Sequence, residues 1–171
     1  ALQTDDKIVV AGVCQRDSPP TFCLSRHNSD GSLDNMFHSN GVVVTHFESF
    51  SASGAAKSVR IQPDGKIVAA GETIIDFFGS VPALARFNTD GTLDTTFNPG
   101  TGANSVVWTT VLQPDGKIIV GGNFNAYNGA PRNRIVRLNS NGTVDATFNP
   151  GTGADSVVFT TALQADGRII L

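Results

Sequence analysis

Apolar positions along the chain fall in short runs punctuated by Gly, Pro, Asp and Asn, and nowhere do they recur with the spacing of a helix. The clearest run is Val111-Leu112-Gln113-Pro114-Asp115-Gly116-Lys117-Ile118-Ile119-Val120-Gly121-Gly122. Pro presets φ at the first central position, Asp follows, and Gly takes the left-handed conformation. The pattern therefore predicts two antiparallel strands joined by a type I turn with a one-residue glycine bulge. That turn pairs Gln113 with Lys117, Leu112 with Ile118 and Val111 with Ile119. Both faces of the hairpin are apolar, so both must be covered.

The same motif opens at Leu2, Ile61, Leu112 and Leu163, with periods of 59, 51 and 51 residues. Between its copies stands a second repeated hairpin, running Arg26 to Asp34, Arg86 to Asp94 and Arg137 to Asp145, with turns that read Asn-x-Asp-Gly or, in the third, Asn-Ser-Asn-Gly. The same bulged turn sets Asn88 opposite Thr92, Phe87 opposite Leu93 and Arg86 opposite Asp94. This gives a cross-strand ion pair worth a few tenths to about 1 kcal/mol. Each unit then closes on a phenylalanine, Phe37, Phe97 or Phe148.

A fixed period near 50 with two hairpins per unit predicts an all-β chain of β-propeller blades, each of four antiparallel strands. In one blade the strands are expected at 106–113, 117–124, 135–139 and 143–148. Blade 1 occupies 1–53 with its first strand incomplete and a long linker, blade 2 occupies 54–103, blade 3 occupies 104–154, and 155–171 starts a fourth. The nine extra residues after Phe37 are expected to lengthen a connection without altering the blade. About three blades make a partial, open array, because a closed ring needs at least four. The expectation is a fragment of a larger propeller that begins within a first strand and ends within a second.

Leu112-Gln113-Pro114-Asp115-Gly116-Lys117-Ile118, then Gly121-Gly122-Asn123-Phe124, Asn128-Gly129, Arg132, Arg137-Leu138-Asn139, Asp145 and Phe148-Asn149-Pro150-Gly151, together resemble the delta-60 repeat of bacterial proteins. The resemblance covers essentially the whole chain. Unit 1 departs from it with Thr4-Asp5-Asp6 in place of Pro-Asp-Gly, which puts Asp6 at the bulge, and unit 2 departs in the loop 73–80. It implies a propeller-like tandem repeat of large secreted or cell-surface bacterial proteins and carries no catalytic residue over to this chain.

Composition changes little in this picture. The net charge is -3, and the twelve Lys and Arg are scattered singly, so no basic stripe tracks a nucleic acid. Apolar runs are too short for a membrane-spanning helix, so membrane insertion is not expected. Cys14 and Cys23 flank a loop, and two readings stay open, a loop-clamping disulfide or two buried free thiols.

The chemistry is sparse. The Asn-x-Asp-Gly-x-x-Asp segments look superficially like calcium loops but have fewer acidic positions than such a loop requires, and structural turn chemistry is preferred. His27, His38 and His46 share no metal-ligand spacing, no Gly-x-Ser-x-Gly elbow occurs, and Gly100-Thr101-Gly102 lacks the lysine of a phosphate loop. No cofactor or metal is expected. What varies between units is the loop joining the two hairpins, and variable loops on a repeated scaffold are where binding residues collect. In unit 3 that loop offers Tyr127, Asn128, Arg132 and Arg134, an aromatic with amide and guanidinium donors suited to a sugar or a carboxylate. In unit 2 it offers Phe77 and Phe78.

The leading expectation is a non-enzymatic structural and interaction module, with other blades of the same protein or other copies of the chain as partners. A lectin-like carbohydrate- or peptide-binding propeller is the alternative. A propeller hydrolase or lyase with its site residues outside this chain is the third.

Overall fold

In the computed structural model, residues 1–15, 20–45, 53–75 and 79–171 are described, with the side chains of 74, 75 and 79–81 left aside. Phe77, Phe78, His46 and part of the first variable loop lie outside them. No helix occurs among the described residues. The strands are β1 (Ile8–Cys14), β2 (Thr21–His27), β3 (Val42–Thr45), β4 (Ser53–Ile61), β5 (Ile67–Ile75), β6 (Gly79–Phe87), β7 (Val107–Leu112), β8 (Ile118–Gly122), β9 (Ala126–Tyr127), β10 (Ala130–Pro131), β11 (Ile135–Leu138), β12 (Ala162–Leu163) and β13 (Ile169–Ile170). Each unit builds one antiparallel three-stranded sheet, ordered β1-β2-β3, β4-β5-β6 and β11-β8-β7.

The first hairpin forms in the register its turn dictates. Leu112 faces Ile118 and Val111 faces Ile119, while the Gln113 amide donates to the Lys117 carbonyl at 2.8 Å. Gly116 takes a φ of 81°, and in unit 1 Asp6 adopts the same left-handed conformation at 64°. Side chains alternate across the middle strand, so Ile67 and Ala69 pack toward unit 1 while Val68 and Ala70 pack toward unit 3. Both faces of the sheet are thereby buried, as its apolar pattern requires.

Two expectations change. The fourth strand, expected at 143–148, shrinks to one bridge, Leu138 to Val144, with His27–Leu33 and Phe87–Leu93 as its counterparts. The chain turns immediately after the bridge because the next residue, Asp145, sends its carboxylate back to cap the turn through the Thr147 amide at 2.9 Å. The long first linker is more than a connection. Its Val42–Thr45 segment pairs with β2 and occupies an edge where the other two units have no strand among the described residues. The inner strand of unit 1 is reduced to a bridge between Leu2 and Ile8.

Cys14 and Cys23 are joined, with Cα atoms 5.5 Å apart across the β1–β2 hairpin. That register sets Cys14 opposite Thr21 and Cys23 opposite Gly12, a two-residue diagonal within bridging reach. Thiol titration of the denatured, unreduced chain is expected to find no free cysteine, and two after reduction. Free thiol before reduction would contradict the bridge.

Candidate functional site

The repeated polar groups assemble into one structure made three times. Arg86 Nε donates to Asp94 Oδ2 at 2.8 Å, and Lys66 Nζ reaches the same oxygen at 2.7 Å. The other carboxylate oxygen accepts from the Thr96 amide at 3.0 Å and the Thr96 hydroxyl at 2.6 Å. Beneath the guanidinium lies the Phe97 ring, 4.9 Å from Cζ to centroid. Units 1 and 3 repeat the arrangement. Lys7, Arg26, Asp34 and Phe37 form the first, with N–O distances of 3.0 and 2.7 Å. Lys117, Arg137, Asp145 and Phe148 form the third, at 3.0 and 2.8 Å.

The pairing of Arg with Asp is legible from turn geometry alone. The lysine and the phenylalanine are not, because they belong to the other hairpin and to the unit's last turn. The available signal was their recurrence in every unit, the phenylalanine always eleven residues after the arginine and the lysine 19 or 20 before it. The energetics also differ from an exposed cross-strand pair. The Arg26, Arg86 and all three Asp side chains are buried, so each charge depends on its partners in place of water.

The clasps hold units together. Arg26 Nη1 donates to the Thr89 carbonyl of the next unit at 2.6 Å, and Arg86 Nη1 donates to the Ser140 carbonyl at 2.6 Å. The amides of His38 and Asn98 add bonds to the Asp90 and Asn141 carbonyls at 2.6 and 2.9 Å. A Cβ on Gly91 or Gly142 would stand 2.9 Å from the ring of Phe37 or Phe97, so the turn glycine lets each ring seat against the neighbouring backbone. A row of hydroxyls ties the inner strands as well, Ser58 to Thr110 at 2.8 Å and Thr109 to Thr161 at 3.0 Å.

Hydrogen bonds hold the carboxyls well below the ordinary carboxylate value of 3.8. At Asp94 the Lys66 ammonium leads, followed by the Thr96 hydroxyl. At Asp145 the Thr147 hydroxyl leads, followed by its amide and then Lys117. At Asp34 burial is the largest influence and opposes the shift, yet Lys7, the Met36 amide and Arg26 together outweigh it. The unfolded chain therefore takes up more protons than the folded one once the pH falls below about 4, and the clasps' stabilisation is lost progressively from there toward the lowered folded values. The denaturant midpoint is expected to stay level between about pH 5 and 7 and to fall steeply below about pH 4. A midpoint unchanged down to about pH 2 would rule these carboxylates out as the acid-sensitive groups.

The four residues of the unit 3 loop separate. Tyr127 is 2% exposed and packs edge-on against Phe124 at 6.2 Å between centroids, so its ring belongs to the core. Burial raises its phenol, whose oxygen has no hydrogen-bond partner among the described residues. Asn128, at a φ of 50°, turns its amide oxygen onto the Gly102 N–H at 2.8 Å and ties the loop to the turn between units. Arg134 donates to the Ala154 carbonyl at 3.0 Å. Arg132 is half-buried and donates to the Pro131 carbonyl at 2.8 Å. It lines a cleft of about 430 Å³ with Pro131, Asn133, Phe148, Asn149 and Thr152. That cleft contains the ring and amide of the third clasp.

The remaining candidates are spent locally. Asp90 accepts from the Thr92 amide and hydroxyl at 2.9 and 2.7 Å, away from Asp94. His27 sits between the Ser25 hydroxyl and the Gly31 carbonyl, and His38 beside the Ser39 hydroxyl. Among the described residues no three His, Cys, Asp or Glu converge as a metal site would require.

A family model described as a domain of unknown function (DUF5122) beta-propeller matches residues 3–37, 62–97 and 113–148, more than half of the chain. Each matched segment runs from the first motif's turn to the closing phenylalanine, which is the span of one clasp. No curated protein matches the chain.

Proposed function

The chain belongs to the DUF5122 beta-propeller family, and on that premise we propose that it is a non-enzymatic structural and interaction module of a larger secreted or cell-surface bacterial protein. Within the family its closest description is a delta-60 type repeat, with blades whose fourth strand is completed by the bridge residue and the turn that follows it. The observation that carries the reading is the clasp, because in every unit the ionic groups join the unit's two hairpins, and in units 1 and 2 the arginine also grips a turn of the next unit. The disulfide supports an oxidising compartment, where such bridges persist. Its partners are then other blades of the same protein or other copies of the chain.

The mass of the source polypeptide under denaturing conditions tests this. A chain far heavier than 17.9 kDa, released from the cell surface or secreted, is the expected result. A denatured mass near 17.9 kDa, or a cytoplasmic location, would overturn it.

One observation favours a lectin-like alternative, since Arg132 opens onto a cleft of ligand size. Saturable glycan binding lost in Arg132→Ala would support it. Tyr127, buried among Phe124 and its neighbours, takes no part in that reading.

A further inference from the structure

The outer sheet edge is filled in unit 1, and its counterpart in unit 2 is open. In unit 1 the segment Val42–Thr45 adds antiparallel to β2, with Leu24 facing Val43 and Phe22 facing Thr45, and the Arg26 amide donates to the Gly41 carbonyl at 3.0 Å. The repeat sets Arg26 level with Arg86, so Phe22, Leu24 and Arg26 correspond to Pro82, Leu84 and Arg86 of β6. No strand lies beyond β6 among the described residues. The bridge from Phe87 to Leu93 is followed at once by Asp94, whose carboxylate caps the next turn through the Thr96 amide.

The ladder fixes the direction of the free groups. The Arg86 carbonyl accepts the Asp94 amide at 2.8 Å, so the peptide groups of residue 86 point away from β5. Alternate residues of an antiparallel strand share that direction. The Arg86 N–H, both peptide groups of Leu84 and the Pro82 carbonyl therefore line the edge, and none of them has a partner among the described residues. Side chains record the same difference. Leu24 is fully buried beside its added strand, whereas Leu84 is only half-buried. Unit 2 packs on units 1 and 3 through the two faces of its sheet, so this edge belongs to neither of those contacts.

We propose that the outer edge of β6, over residues 82–86, is a docking site for an extended strand of a partner protein, about five residues long and β-branched at its centre. Unit 1 displays the chemistry of the occupant. There residues 41–45, Gly-Val-Val-Val-Thr, lie on the equivalent edge, and Val43 enters the core beside Leu24 at 5% exposure. The matching residue of a partner would cover Leu84 on the face toward unit 3. Backbone groups at 84 and 86 supply hydrogen bonds at fixed spacing, and the half-open Leu84 side chain supplies selectivity. Proline at 82 has no N–H, which ends the ladder on that side and limits the strand the edge accepts. This inference rests on the interaction-module reading and names the partner's chemistry, but its test reads a contact at β6 and does not depend on the mass or location of the source polypeptide.

The probe is a peptide with the sequence of residues 39–46, Ser-Asn-Gly-Val-Val-Val-Thr-His, extended by a pair of lysines for solubility. Saturable binding with a dissociation constant below about 1 mM is expected, with slowed hydrogen exchange at the Leu84 and Arg86 amides. N-methylation at the residue matching Val43 removes the donor to the Leu84 carbonyl and should weaken binding about 10-fold or more. The same change at the residue matching Val44, whose N–H faces away, should leave binding within about 2-fold. Leu84→Pro removes the central donor of the edge without breaking a bond to β5, and is expected to abolish binding while far-UV circular dichroism stays unchanged. The methylated peptides decide the point even if that variant misfolds. No saturable binding up to about 1 mM, equal weakening by the two methylations, or protection at Leu24 in place of Leu84 would overturn the proposal. Dimerisation of the free chain through β6 would overturn it too, since the edge would then belong to a second copy.

Discussion

Asp94→Ala is expected to lower the stability of the chain by about 3 kcal/mol, because removing one member of a buried ion pair leaves the other charge without compensation. Arg86 and Lys66 both end on the deleted oxygen, and the Thr96 amide and hydroxyl end on the other. Arg86 is only 7% exposed, so water cannot replace the carboxylate. Losing it also loosens the guanidinium that holds the Ser140 carbonyl of unit 3. Asp94→Asn, which keeps an acceptor for Thr96 and drops the charge, should fall between the two. Asp145→Ala should cost less than Asp94→Ala, because its Arg137 is more exposed and grips no following turn. Equilibrium unfolding in urea of the three variants measures this. Equal losses at 94 and 145 would mean that the contact across units adds nothing to the clasp.

Gly71→Ala and Gly122→Ala are each expected to destabilise by about 2–3 kcal/mol, while Gly12→Ala, at the same place in the repeat, should be neutral or stabilising by up to about 1 kcal/mol. At Gly71 a Cβ would run into the Ala55 carbonyl and stand 3.0 Å from the Lys57 nitrogen. At Gly122 it would meet the Val106 carbonyl and stand 3.1 Å from Val107 Cα. These are backbone atoms in bulged strands, where the register shifts between Ala56 and Ser58 and between Val107 and Thr109, so nothing can rotate aside. None of the three glycines has a positive φ, which leaves crowding as the cause. A Cβ on Gly12 would have nothing within 4 Å in this 171-residue chain. Thermal and urea unfolding of the three single variants decides the point. A Gly12→Ala loss equal to that of Gly71→Ala would mean that the glycines serve the strand itself and not its neighbour.

Much of the fold was legible because it is local. The Pro-Asp-Gly and Asn-x-Asp-Gly turns set their own registers. Gln113 therefore meets Lys117 and Arg86 meets Asp94 as turn geometry requires, and Asp6 takes the left-handed bulge position without a glycine. The candidate site was less legible. Tyr127 looks like an exposed loop aromatic in sequence, yet the short β9–β10 hairpin folds it onto Phe124. The residues 143–148 look like a strand, yet the carboxylate of Asp145 bends the chain after one bridge. The stretch 42–45 reads as linker, but its valines find an unpaired edge on β2.

By itself, the sequence determined an all-β chain of repeated hairpins, their turns, their registers and the pairing of each arginine with its aspartate. All of these depend on residues fewer than ten positions apart. Only the tertiary structure decided which of three equivalent glycines are crowded, that lysine and phenylalanine complete each ion pair, and that the clasps of units 1 and 2 grip a turn of the next unit. Those properties depend on contacts between separate strands and hairpins, from Phe97 eleven positions beyond Arg86 and Ala55 sixteen before Gly71 to Thr89 sixty-three beyond Arg26, which no local pattern encodes.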